Sequence, residues 1–169
     1  HLDYKWITAA SSLNIFVSGV VDAALAMSYN EYYQLLSTGI ISPGKGIYRF
    51  SEHGYNVQED GVYMTAEGYG KNRDAAERFA RASRRGWEWC AAHPEEALEI
   101  VMKYVKQFRI PTNQVLQQLM LEEILRLQLD PDSGKREFRL RPDMVKFSSD
   151  LMLEGGIIKN EVTYEMLMP

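Results

Sequence analysis

An α/β lobe followed by a helical tail is the architecture that the residue pattern of this chain predicts. Residues 20–27 form an apolar run broken only by Asp22, as in a strand buried on both faces of a parallel sheet. Residues 4–27 fall in the order strand, helix, strand, which makes a βαβ unit. From Asn72 onward the apolar period lengthens to that of a helix and stays there almost to the end.

Each element has its own justification. Tyr4, Trp6, Ile7 and Thr8 give residues 4–8 the aromatic and β-branched content of a short strand. Ser11 and Ser12 follow and can cap a helix over 13–18, which Gly19 stops. After the apolar run, Ser28 can cap a helix through Glu31 to Leu36, with Gly39 where a left-handed C-cap is preferred. Pro43, Gly44 and Gly46 mark a loop, residues 47–50 a further strand, residues 52–61 a polar hinge-like stretch, and residues 62–65 one more strand.

The tail is read in the same way. Asp74 opens a helix with Ala75, Phe79, Ala82, Gly86, Trp87 and Cys90 on one side and Arg78, Arg81, Arg84 and Arg85 on the other, a solvated face. Pro94 with Glu95 and Glu96 is a well-formed first turn for the next helix, which is expected to bury Leu98, Ile100, Val101, Tyr104 and Val105. Two more helices are expected over 112–127 and 142–154, the second ended by Gly155 and Gly156. Between them Asp130, Asp132 and Gly134 lie in a polar turn. No acid stands at the closing position of a calcium loop, where Leu140 or Arg141 falls, so no metal site is expected.

Composition narrows the function. The net charge of −4 and the absence of a concentrated basic stretch argue against a nucleic-acid partner. Cys90 is the only cysteine, which excludes an internal disulfide, and its helical position reads as a small buried hydrophobe. Apolar runs fall far short of the ~20 residues that cross a bilayer. His1, His53 and His93 are scattered, and nucleophile-elbow, phosphate-loop and zinc-protease motifs are all missing. Glu95 and Glu96, like Glu122 and Glu123, are helical neighbours whose side chains diverge by about 100°. Neither catalysis nor a cofactor is therefore expected.

What remains is the segment leaving the apolar run. Ligands of open α/β sheets bind beyond the carboxyl ends of the strands, which is where Tyr29, Asn30 and Glu31 would lie. A phenol, an amide and a carboxylate suit a flat polar heterocycle or an amine. The same residues also fit plain helix-opening chemistry, and position alone leaves both readings open. Ser11 and Ser12 are a second candidate, since free amides at a helix start attract anions, although N-capping explains them too.

Residues 19–24 (Gly19, Val20, Val21, Asp22, Ala23, Ala24), Tyr29-Asn30-Glu31, the stretch from Arg84, Arg85, Gly86 and Trp87 to His93, Pro94, Glu95, Glu96 and Ala97, and the closing Gly155-Gly156-Ile157-Ile158 occur in register. Together they resemble the NMT1/THI5-like and SsuA-like solute-binding proteins of ABC importers. The resemblance implies a periplasmic-binding-protein-like type II fold, present here incompletely. Residues 1–51 would form part of lobe II, residues 52–61 the hinge crossing, and residues 62–169 a strand and helices of lobe I. The start at His1 looks like a cut, and on the order of 100 residues are expected before it.

The same resemblance implies a small-molecule ligand and an ABC permease as partners, with the missing lobe or a second copy of the chain covering apolar faces of the tail. It implies a periplasmic or cell-surface location, with membrane contact only through a lipid anchor upstream. Ligands of such proteins include thiamine pyrimidine precursors, sulfonates, taurine and nitrate. Glu31 disfavours an anion against it, so a thiamine pyrimidine precursor is preferred. Tyr29, Asn30 and Glu31 carry over as ligand-facing, with Ser11 and Ser12 as weaker members. Two alternatives stay open: a THI5-like pyrimidine-biosynthesis enzyme, whose cysteine-rich segment this chain lacks, and the effector-binding domain of a transcriptional regulator.

Overall fold

A computed structural model describes residues 5–8 and 13–168. Its helices are α1 (Asn14–Val17), α2 (Glu31–Thr38), α3 (Ala66–Ala92), α4 (Pro94–Phe108), α5 (Gln114–Leu127), α6 (Pro142–Glu154) and α7 (Tyr164–Leu167), with a 3₁₀ turn at Phe50–His53. The described chain is mostly helical. Its β-structure amounts to two isolated bridges, Ser42 with Lys45 and Leu129 with Arg136. No described helix is long and apolar enough to cross a membrane.

Helix ends follow local chemistry closely. Gly39 closes α2 at φ 73° and Gly54 closes the 3₁₀ turn at φ 84°, both in the left-handed region that glycine enters without steric cost. Pro94 opens α4 with Glu95 and Glu96 in its first turn, and Pro142 opens α6, which runs to Glu154 before the two glycines. The cap of α2 is Asn30, not Ser28. α3 begins earlier than Asp74 and breaks at Asn72 (φ −131°), whose side-chain amide donates to the Gly68 carbonyl at 3.1 Å. An amide that bonds its own preceding turn competes with the helix ladder and bends it.

The sheet expected at the N-terminal end is the main correction. Residues 5–8, 23–27, 47–49 and 55–65 carry no regular structure. Val20, expected inside a doubly covered strand, is 65% exposed, and Leu25 and Met27 are exposed as well. β-Propensity describes how a side chain fits a pleated, partnered surface, and a strand exists only with a hydrogen-bonded neighbour. Among the described residues none of these segments has a backbone ladder. Residues 55–65 are tied down differently: Gln58 donates through Nε2 to the Arg139 carbonyl at 3.1 Å and accepts the Arg141 N–H through Oε1 at 2.9 Å. One side-chain amide there makes the pair of bonds that a neighbouring strand would have made.

The chain divides into two compact units, one built from residues 1–47 with 93–127 and the other from 48–92 with 128–169. In the first, α5 packs against both α4 and α2, and Leu35, Ala97 and Leu98 are buried. The face of α4 that turns inward carries Ala97, Leu98, Met102 and Val105, whereas Ile100, Val101 and Tyr104 point outward. In the second unit Val145 and Ser149 of α6 are buried, and α7 packs beside α6. α3 buries nothing fully; Trp87 and Cys90 are half-buried and Phe79 is exposed. Its arginines pair at one-turn spacing, Arg73 with Glu77 at 2.8 Å, Arg78 with Asp74 at 3.0 Å and Arg84 with Glu88 at 2.8 Å, as a solvated face should.

Ser149 is 1% exposed, and its Oγ accepts the Val162 N–H at 2.8 Å, holding the chain after α6 to that helix. Ser149→Ala leaves that N–H without its partner and is expected to lower stability by about 1–2 kcal/mol. Denaturant midpoints of the two proteins measure it; coincident curves would mean that water replaces the hydroxyl.

Candidate functional site

Tyr29, Asn30 and Glu31 sit at the start of α2 in the first unit, and all three are half-buried. The chain turns sharply before them: Asn30 and Tyr32 both send their N–H groups to the Met27 carbonyl at 3.2 Å. Glu31 then reaches back, its Oε2 accepting the Met27 N–H at 3.0 Å and its Oε1 accepting from Asn30 Nδ2 at 3.3 Å. Part of the carboxylate's capacity thus serves the turn, which is the helix-opening role. Asn30 caps α2 by position without a side-chain bond to the helix backbone; its Oδ1 instead accepts from Gln34 Nε2 at 2.7 Å. Ser11 and Ser12 lie outside the described residues.

Asn30 is also part of a cleft. An open depression of about 340 Å³ lies between α2 and the start of α5, entirely within the first unit, with Asn30 and Gln34 on one side and Thr112, Asn113 and Gln117 on the other. The far wall is fixed by its own bonds. Asn113 Oδ1 accepts the Leu116 N–H at 2.9 Å, which caps α5, and Gln117 Nε2 donates to Thr112 Oγ1 at 3.1 Å. No charged residue lines this cleft. The loop that carries Thr112 leaves α4 through Arg109, held in the left-handed region at φ 52°.

Further along α5, Glu123 is buried and receives Arg126 in a two-point bridge, Nε to Oε2 and Nη2 to Oε1, both at 2.7 Å. Glu122, one residue away, faces solvent and takes Gln118 Nε2 at 2.9 Å, so the expected divergence of the two acids is realised. Burial, then the negative charge of Glu123, pushes the Tyr33 hydroxyl on α2 above its ordinary titration range. Hydrogen bonding to Glu123 holds the Arg126 guanidinium above its own.

The structure therefore brings Asn30 into a site with residues that sequence reasoning missed: Gln34, Thr112, Asn113 and Gln117. A partial signal existed. Asn30 and Gln34 are spaced one turn apart on α2, and Pro111-Thr112-Asn113 ahead of an apolar helix is N-terminal capping chemistry. Nothing local pairs those two stretches across some eighty residues of chain. In the second unit the polar turn at Asp130 forms as expected. Asp130 Oδ1 accepts from the Ser133 N–H at 2.7 Å and from its Oγ at 2.8 Å, and Oδ2 accepts from Arg141 Nη1 at 3.2 Å; the Ser133 bonds hold the carboxyl below its usual range.

A family model described as NMT1/THI5 like covers residues 2–97, more than half of the chain. Three of the four motif stretches, those at 19–24, 29–31 and 84–97, lie inside that span, and Gly155 to Ile158 lie beyond it. No curated protein and no solved structure matches.

Proposed function

The chain belongs to the NMT1/THI5-like family, and from that premise we propose that it is the solute-binding component of an ABC importer, a protein that captures a small polar nutrient and hands it to a permease without chemically changing it. In this reading the family's type II binding fold is present in part: residues 1–51 belong to lobe II, 52–61 to the hinge crossing and 62–169 to lobe I. The protein works outside the cytoplasm, at the cell surface or in a periplasm. A thiamine pyrimidine precursor is the preferred ligand, with sulfonate, taurine and nitrate as the competing ones.

The observation that supports the proposal is the family match together with the position of Tyr29, Asn30 and Glu31, which sit half-buried within that match at the start of α2. A neutral aminopyrimidine can donate to the Glu31 carboxylate, stack on the Tyr29 ring and exchange two hydrogen bonds with the Asn30 amide. An anion gains nothing at Glu31. Ser11 and Ser12 are carried as weaker members of the site, and no residue is assigned a catalytic role.

Titration calorimetry of the chain with 4-amino-5-hydroxymethyl-2-methylpyrimidine, taurine and nitrate tests this. The pyrimidine is expected to bind best, and Glu31→Ala is expected to weaken it by tenfold or more, the usual effect of losing a charge-assisted bond. Undiminished affinity in Glu31→Ala removes that residue from the site. Preference for an anion changes the ligand class, and consumption of the pyrimidine replaces the binder with an enzyme.

A further inference from the structure

We infer that the cleft between α2 and α5 is itself a binding site, and that it takes a small, uncharged, planar molecule of the amide or urea type. This stands apart from the transport reading, because only Asn30 is common to both sets of residues.

The inference starts from which amide ends are already used. Gln34 donates through Nε2 to Asn30 Oδ1, Gln117 donates through Nε2 to Thr112 Oγ1 and more weakly to Met120 Sδ at 3.5 Å, and Asn113 accepts the Leu116 N–H through Oδ1. Each bond fixes one end of a carboxamide and orients the other. Gln34 Oε1, Gln117 Oε1 and Asn113 Nδ2 make no hydrogen bond among the described residues, and all three residues line the same cleft. The site thus offers two acceptors and a donor, already positioned by neighbours.

Its chemistry selects by charge. No Asp, Glu, Lys, Arg or His lines the cleft, while Ile110, Pro111 and Met120 add apolar surface. A carboxylate or ammonium placed there would lose hydration without meeting an opposite charge, whereas a neutral molecule with both N–H and C=O groups exchanges water for equivalent bonds. A volume of about 340 Å³ is at the small end of ligand sites and fits a single ring bearing one amide.

Nicotinamide, nicotinate and 3-(aminomethyl)pyridine form a series of one shape with neutral, negative and positive groups. In ¹H–¹⁵N NMR titrations of the whole chain, nicotinamide is expected to shift the side-chain NH₂ signals of Asn113 and Asn30, with the two charged analogues at least tenfold weaker. Gln117→Leu and Gln34→Leu are each expected to weaken nicotinamide about three- to tenfold, the loss of one neutral hydrogen bond. Gln34 is exposed, so its variant keeps the test available if Gln117→Leu disturbs α5. Equal binding of the three analogues, shifts confined to residues away from α2 and α5, or unchanged affinity in the folded variants would overturn the assignment. Nutrient binding that responds to Glu31→Ala alongside nicotinamide binding indifferent to Gln117→Leu would remove this site and leave the transport reading intact. The reverse pattern would do the opposite.

Discussion

Leu98→Ala should destabilise the first unit by about 2–3 kcal/mol, a large share of what a small unit has to lose. The reason is how thin the interior is. Among the described residues the buried apolar side chains are Leu35, Ala97, Leu98 and Val145, and three of these lie on α2 and α4, the helices that α5 packs against. Truncating Leu98, which is 8% exposed, removes the larger of the two buried apolar side chains of α4. Leu-to-Ala costs run from about 2 to 5 kcal/mol, and the lower half applies because half-exposed neighbours such as Met102 and Val105 can close over the gap. Ile100→Ala is the matched control: at 48% exposure it should cost well under half as much. Urea unfolding followed by circular dichroism measures both, and equal losses would mean that α4 presents its other face to α5.

That control tests the point at which the sequence was ambiguous. Leu98, Ile100, Val101, Tyr104 and Val105 cover more than one side of a helix, so periodicity alone does not choose between the face holding Leu98, Met102 and Val105 and the face holding Tyr104, whose ring lies 6.3 Å from that of Phe108. Helix ends were easier, because capping is decided within a few residues: Gly39, Pro94 and the full extent of α6 could all be read directly. Strands were the opposite case. Residues 20–27 carry the apolar content of a buried strand, yet a strand's hydrogen bonds belong to a pair, and a run of side chains names no partner. The candidate site follows the same line. Asn30 was singled out as lying beyond the end of an expected strand that does not form, and its place in the cleft, like that of Gln34, Asn113 and Gln117, arises only when α2 and α5 come together.

Arg126→Ala is the second large effect expected, about 2–3 kcal/mol, and it links stability to the cleft. Glu123 has a side chain only 10% exposed, and each of its oxygens accepts one guanidinium N–H from Arg126. Removing the arginine leaves a carboxylate in a nearly dry position next to the Tyr33 hydroxyl, which already feels its charge. Breaking a fully buried pair costs about 3–5 kcal/mol, but the Arg126 side chain is 62% exposed, so solvent offsets part of the loss. The penalty comes from leaving a buried charge short of two bonds more than from the lost attraction. A double variant, Glu123→Leu with Arg126→Leu, should therefore recover most of the stability although it restores no ion pair. Because Glu123 and Tyr33 lie on α5 and α2, the two helices that flank the cleft, nicotinamide affinity should fall in Arg126→Ala and return in the double variant. Thermal unfolding and the NMR titration read the two quantities separately. A double variant no more stable than Arg126→Ala would show that the bridge itself, an i,i+3 pair within α5, and not relief of a buried charge, carries the stability.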